Sequence, residues 1–264
     1  MAVVIAGAGS GIGLRLAELL GARGEAIVAL DLAFPRVAHE ALLAAVGGAK
    51  ERLAMFEVDI RDGERVRTAL TEGVAALGPA SLVVNCAGIL DAREFTEISE
   101  ADFRRVIDTN LIGSRNVAAA AVELLGPGGR LVLTASLAGL VTNYGYSSYS
   151  ASKFGVIALA DVLRMELRPR GIAVSVVAPP EVETPMVVEE RRSAPGATTR
   201  MKLLAGSLSL DPAAEAILAG IDRGEFLIIP SRRAKIVALL SRVLPRPLLH
   251  AIVDQVIRRE RRRA

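Results

Sequence analysis

Tyr149 and Lys153 stand four residues apart, and Ser136 lies thirteen positions before the tyrosine. On a helix that spacing projects phenol and ammonium from one face. An ammonium beside a phenol lowers its pKa from about 10, and a fall of about three units represents about 4 kcal/mol. A phenol so tuned can give a proton to a carbonyl oxygen as hydride reaches the carbon, or take one from an alcohol in reverse. Tyr149 is therefore read as a general acid/base. Any amphipathic helix can carry such a pair on its surface, so the pair gains meaning only from its company.

A glycine-rich turn near the start of the chain supplies that company. Gly7, Gly11 and Gly13, with Ser10 and Ile12 among them, follow the apolar run Ala2 to Ala6 and open a predicted helix reaching Ala22. Strand, glycine loop and helix in that order let backbone N–H groups approach a pyrophosphate at a helix N-terminus. Asp31 ends the second predicted strand, eighteen residues past Gly13. A carboxylate there accepts hydrogen bonds from the adenosine ribose hydroxyls and repels a 2′-phosphate, so NAD is expected in preference to NADP. Arg15 and Arg36 are close in sequence and leave NADP open.

Asp59, Asn85-Cys86-Ala87-Gly88 and Asn110 come next, ahead of Ser136, Tyr149 and Lys153. From about Val3 to Met186 the series resembles the short-chain dehydrogenase/reductase family. The glycine loop has that family's spacing, and Ser10 stands where NADP-using relatives often carry a basic residue. The resemblance implies that Asp59 and Ile60 frame the adenine. It makes Asn85, Ala87 and Gly88 a turn where the ribose passes close to the backbone, with Cys86 replacing a second Asn at the expense of local hydrogen bonding. Asn110 matches a residue that kinks a long helix and holds a water in a proton relay to the lysine, and a mid-helix Asn is otherwise unfavourable. Ser136 would hydrogen-bond the substrate carbonyl and stabilise charge on its oxygen. Tyr149 and Lys153 would carry the proton chemistry, with Lys153 also binding the nicotinamide ribose.

Residues Ala178 to Thr184 line up with the family's segment that holds the nicotinamide carboxamide. The matching contacts are Pro179, the Val182 backbone and the Thr184 hydroxyl. Pro180 replaces the usual Gly; it fixes φ at about −65° and removes a donor, so a stiffer turn is expected. A narrower likeness is to the 3-ketodihydrosphingosine reductase branch, through Pro179-Pro180 and then Glu189, Glu190, Arg191 and Pro195. That branch uses NADPH, contrary to the reading of Asp31.

These residues need a scaffold, and the hydrophobic pattern supplies one. Apolar, β-branched runs near 2–6, 25–31, 53–58, 80–85, 129–135 and 172–178 alternate with helical patterns. Runs apolar throughout suit strands buried on both faces of a parallel sheet. The fold class expected is α/β, a single Rossmann domain with a doubly wound parallel sheet and C-terminal amphipathic helices. Asp211-Pro212 opens a further helix and Phe226 to Ile229 supply a last strand. Residues 1–230 are read as the dinucleotide-binding and catalytic domain, and 231–264 as a basic extension of the same domain.

The chain has 264 residues, 52% hydrophobic and only 3% aromatic, so Ala, Val, Leu and Ile must build the core. Mean hydropathy is +0.41. Cys86 is the one cysteine and forms no internal disulfide; it is read as packed rather than reactive. No metal ligand set is read from the sequence. Met1 runs straight into an apolar strand without a basic leader, and polar residues and glycines interrupt the long uncharged stretch from Leu131 to Ser152. A cytoplasmic location without a membrane span is expected.

From Ser231 to Ala264 ten Arg and Lys face only Asp254 and Glu260, a net +8; the whole chain is +3, which leaves −5 elsewhere. Apolar residues between those charges make two amphipathic helices broken at Pro245 and Pro247. Such helices either seek an anionic membrane surface or pack on the protein. Nucleic acid is not an expected partner, because the basic run lacks aromatics and a recognition motif.

The expected function is reversible hydride transfer between a nicotinamide and a secondary alcohol or ketone, of hydrophobic or lipid-like character. Val187 to Leu210 would be a lid, and family analogy implies a homodimer or homotetramer through the helices of Asn110 and Tyr149. The alternatives are a small polyol, hydroxyacid or acetoin-like substrate, or a nucleotide-sensing scaffold without catalysis.

Overall fold

A computed structural model describes residues 1–261, except the side chains of Ser193 and of residues 259–261. Of the basic residues counted in the tail, Arg262 and Arg263 lie outside the described residues. The first half of the chain alternates β1 (Ala2–Ala6), α1 (Gly11–Ala22), β2 (Ala26–Asp31), α2 (Arg36–Ala45), β3 (Leu53–Glu57), α3 (Gly63–Leu77) and β4 (Ala80–Asn85). Then come α4 (Glu100–Ile107), α5 (Gly113–Leu124), β5 (Arg130–Thr134), α6 (Ser147–Leu167) and β6 (Ala173–Val177). The remainder is β7 (Glu181–Val182), α7 (Pro185–Ser193), α8 (Gly196–Ala205), β8 (Ser207–Leu208), α9 (Leu210–Asp222), β9 (Leu227–Ile228), α10 (Arg232–Val243) and α11 (Arg246–Arg261).

Seven strands form one sheet in the order β3-β2-β1-β4-β5-β6-β9, every pairing parallel. Successive residues of a strand face opposite sides, and β1 shows the consequence. Ala2, Val4 and Ala6 join a core with Val66 and Leu70 of α3, Val117 of α5 and Val156 of α6. Val3 and Ile5 join the other core, with Leu16 of α1, Leu42 of α2 and Ile217 of α9. The sheet is thus covered on both faces, as its uniformly apolar strands require. Each expected strand is present within a residue or two, including the last near Phe226–Ile229.

Strand order reverses between β1 and β4, and at such a switch point the loops beyond the C-terminal strand ends diverge to leave a crevice. The glycine loop after β1, the Asn85 turn after β4, Ser136 after β5 and the Pro179 turn after β6 all open there. The tail helices close one side of it. Ser231 caps α10 by accepting from the Ala234 N–H at 3.3 Å, and Ala234, with Val237 and Ala238, packs on Leu137, Ala178, Ala205 and Ile229. Among the described residues no helix is long and apolar enough to cross a membrane.

Candidate active site

The nucleotide end is shaped by absent side chains. A Cβ on Gly13 would lie 2.0 Å from the Gly7 carbonyl oxygen, and one on Gly7, whose φ is +81°, would lie 2.5 Å from the Ala87 nitrogen. Only glycines let β1, the start of α1 and the turn after β4 approach so closely. The Asp31 carboxylate holds the loop from the side, accepting from the Gly9 N–H and the Leu32 N–H, each at 2.7 Å. Thr184 caps the start of α7 with its methyl 3.2 Å from where a Cβ of Gly11 would stand, so the segment after β6 folds over the loop. Pro179 is tied to the strand end by the Leu137 N–H at 2.8 Å. Val182 is buried in β7, paired with Leu208 of β8.

Asp59 and Ile60 follow β3 and line the same crevice, with Ser10, Ile12 and Ala87. The Arg61 guanidinium grips the Asp59 carboxylate and holds its pKa below the usual range. Asn85 is buried; its amide donates to Ser114 Oγ at 2.9 Å and its carbonyl accepts from the Ala87 N–H at 3.1 Å, which fixes the turn. The neighbouring Cys86 thiol is raised to about 11 by burial, so it stays protonated and packed, as expected. Its sulfur lies 3.5 Å from Thr134 Oγ1.

Asn110 sits in a single wide π turn, Asp108–Ile112, between α4 and α5. Such a turn interrupts the regular ladder and is common at functional sites. Its side-chain carbonyl accepts from the Ile89 N–H at 2.8 Å, while its amide donates to the Ile89 carbonyl at 2.9 Å and Ser152 Oγ at 3.0 Å. It therefore straps the turn after β4 to α6. A Cβ on Gly88 would meet Asn110 Oδ1 at 3.0 Å and Lys153 Nζ at 3.3 Å, so the two side chains converge there.

Ser136 follows β5; its hydroxyl accepts from the Ala138 N–H at 3.1 Å, and it lies close enough to the Tyr149 hydroxyl to favour its ionised form. Tyr149 and Lys153 are both buried on one face of α6, with Lys153 Nζ 5.6 Å from the ring centre. Here the structure corrects the expectation that the ammonium draws the phenol toward neutrality. Burial pushes Tyr149 up to about 12, against the influence of Ser136, and the Glu190 charge adds to the rise. Burial also lowers Lys153 to about 8. The reason is direction as well as desolvation: Lys153 Nζ donates to the Thr134 carbonyl at 3.0 Å. The resulting phenol is protonated throughout the neutral range and is a proton donor.

Tyr146 and Lys202 carried no signal in the sequence, and Glu190 stood out there only in the branch likeness, with no role in the site. Tyr146 meets the Tyr149 ring edge-on at 5.2 Å and donates its hydroxyl to the buried Glu190 carboxylate. Lys202 of α8 pairs with Glu190 at 2.6 Å and also with Glu181. These contacts join α6, β7, α7 and α8, whose meeting no local spacing announces. Thr134, as the terminal residue of β5, was the one partner that position alone could have suggested.

Asp31, Asp59, Ser136, Tyr149 and Lys153 line a cavity of about 900 Å³ that runs from Asp31 across the glycine loop to Ser136 and Tyr149, while Asn85 and Asn110 are buried and do not reach its surface. Its glycine cradle, the N-terminus of α1 and the Asp31 carboxylate fit a nicotinamide dinucleotide. Among the described residues no group of His, Cys, Asp and Glu could hold a metal ion.

A family model described as short chain dehydrogenase matches residues 1–195. The chain belongs to this family. This short-chain dehydrogenase is an NAD(P)-dependent oxidoreductase acting on CH–OH groups. The 3-dehydrosphinganine reductase TSC10A of Arabidopsis thaliana is 34% identical to it over 232 residues, 85% of this chain and 69% of that protein. The (3R)-3-hydroxyacyl-CoA dehydrogenase of Mus musculus is 36% identical over 192 residues, 69% of this chain and 74% of that one. A solved short chain dehydrogenase from Mycobacterium paratuberculosis bound to NAD is 26% identical, with a TM-score of 0.78 over 86% of this chain and 94% of that one.

Proposed function

We propose that the enzyme reduces the ketone of a long-chain 3-oxo amphiphile, a 3-ketosphinganine-like compound, to a secondary alcohol. The observation that carries this reading is that Ser136 and Tyr149 face the same cavity, whose lining is mainly apolar. A nicotinamide held by the glycine loop would supply the hydride that the carbonyl carbon needs. Ser136 orients the carbonyl and stabilises charge on its oxygen, and Tyr149 gives that oxygen its hydroxyl proton. Lys153 would hold the nicotinamide ribose, and Asn110 positions the turn after β4 against α6. Relatives named for sphinganine and hydroxyacyl-CoA chemistry favour a carbonyl at the polar end of a long alkyl chain.

NAD is the proposed cofactor. Gly7, Ser10, Gly11, Ile12 and Gly13 would take the pyrophosphate, Asp31 the adenosine ribose, Asp59 and Ile60 the adenine, and Asn85, Ala87 and Gly88 the ribose path. Pro179, Val182 and Thr184 would hold the carboxamide. Residues 187–210, here α7, α8 and β8, would close over the substrate. Ile112, Phe154, Val162 and Met165 are exposed on α6 and the helical turn of Asn110, and support a homo-oligomer through those helices. The basic tail, with exposed Leu239, Val243 and Leu248, supports peripheral contact of a cytoplasmic protein with anionic lipid.

The test is initial-rate reduction of a long-chain 3-keto sphingoid base and of a short diketone, each with NADH and with NADPH. Turnover of the long-chain ketone with NADH, lost by about 10²–10⁴-fold in Tyr149→Phe, is expected. Turnover of the diketone alone would sink the lipid reading, and an unaffected Tyr149→Phe enzyme would sink the mechanism.

A further inference from the structure

The cavity does not end at Tyr149. It continues between α8, α10 and α11, where Leu204, Ile236, Leu240, Leu244, Leu249 and Ile252 line it. Ile236 and Leu240 lie four residues apart on α10, about 6 Å by helical rise, and Leu244 continues the row just past the helix end. All the lining residues that α11 contributes are apolar. Leu204, Ile236, Leu240 and Ile252 are nevertheless 42–57% exposed, so the groove they form has apolar walls with nothing among the described residues lying across them.

Polarity changes along the cavity in one direction. Next to Tyr149 stand the Tyr146 hydroxyl, Glu190, Lys202 and Glu181, a paired cluster whose two carboxylates are balanced by Lys202 and by Arg191 on Glu181. Beyond it, Arg233 is, among the described residues, the one charged side chain that α10 and α11 bring to the lining. A ligand that fills the whole space is therefore polar near the reacting carbon and apolar away from it. The groove is continuous with the catalytic cavity, which identifies its occupant as part of the substrate.

We propose that α10 and α11 form the binding wall for the substrate's alkyl chain, and that Leu240 and Ile252 set the chain length the enzyme accepts. This rests on the reading of the substrate as a long-chain ketone and adds where its chain goes. The basic tail then serves the substrate pocket through its inner stripe, while Leu239 and Val243, which do not line the cavity, remain on the outer flank.

The experiment measures kcat/KM for a series of 3-oxo amphiphiles with short, intermediate and long chains, on the full-length wild type and on Leu240→Trp, Ile252→Trp and Leu239→Trp. An indole in the groove blocks its far end, so the long-to-short ratio should fall by about tenfold or more in the first two variants. Leu239→Trp, on the same helix but outside the groove, should keep the wild-type ratio. Wild type preferring long chains while Leu240→Trp and Ile252→Trp keep the full preference overturns the proposal and leaves the lipid reading intact. Wild type without any preference for long chains removes the lipid reading, and the proposal with it. Variants that change only the sedimentation coefficient, or only the retention on anionic vesicles, show that a second copy or a bilayer covers this face, and likewise overturn it.

Discussion

Lys153 Nζ donates to the Thr134 carbonyl at 3.0 Å and stands 5.6 Å from the centre of the Tyr149 ring. The amine thus spans the gap from α6 to the end of β5, and both it and the phenol lie in the same water-poor space. That relationship decides how the site responds to protons.

Burial lowers the folded-state pKa of Lys153 to about 8 from its ordinary 10.5. Below about 8 the folded protein carries the whole cost of charging a buried amine. Between about 8 and 10.5 the unfolded chain holds the proton that the folded one has released, so the cost declines as pH rises. Relative to Lys153→Met, the wild type should gain stability across that window, by on the order of 3 kcal/mol in full. Denaturant unfolding of both proteins over the same pH range measures it; parallel curves would mean that the amine is solvated. Tyr149 and Cys86, raised to about 12 and about 11, work in the opposite sense at higher pH in both proteins.

Glu190 raises the Tyr149 pKa and accepts from the Tyr146 hydroxyl. Removing its charge in Glu190→Gln should bring the phenol down, so the rising limb of kcat for alcohol oxidation, which needs the phenolate, should move to lower pH. Tyr149→Phe should abolish that limb altogether. A limb that stays put in Glu190→Gln would show that the carboxylate acts only as a strut between α7 and α8.

Asp31 holds Gly9 and presents its remaining lone pairs to the cavity. In Asp31→Ala the repulsion of a 2′-phosphate disappears. The ratio of kcat/KM for NADPH to that for NADH should rise by about tenfold, equivalent to about 1.4 kcal/mol. An unchanged ratio, with both cofactors equally weakened, would mean that the carboxylate merely shapes the loop.

Gly13→Ala puts a methyl carbon where the Gly7 carbonyl oxygen leaves 2.0 Å. Both contacts are backbone, so the loop must shift. Destabilisation of about 1–3 kcal/mol and loss of nucleotide binding are expected, read by thermal unfolding with and without NADH. Wild-type binding in this variant would show that the loop is not the pyrophosphate cradle.

Periodicity and residue type carried much of this protein. Continuous apolar runs such as Val3 to Ala6 allow only a strand buried on both faces, and their alternation with helices allows only a parallel sheet. Tyr149 and Lys153 share a face because the helical repeat puts them there, and Pro245 separates α10 from α11 because proline cannot donate within a helix, whereas Pro247 falls in the first turn of α11, where no donor is needed. Direction, burial and distant neighbours were settled only by tertiary structure. The sign of the Tyr149 shift depends on desolvation by the whole pocket and on Glu190, forty-one residues away in sequence. Likewise, the apolar stripe of α10 reads equally well as a membrane face or a packing face. Only the folding of α8 and α10 across the C-terminal ends of the strands turns part of it into the wall of the catalytic cavity, because a local pattern records which side of a helix is apolar and not what that side meets.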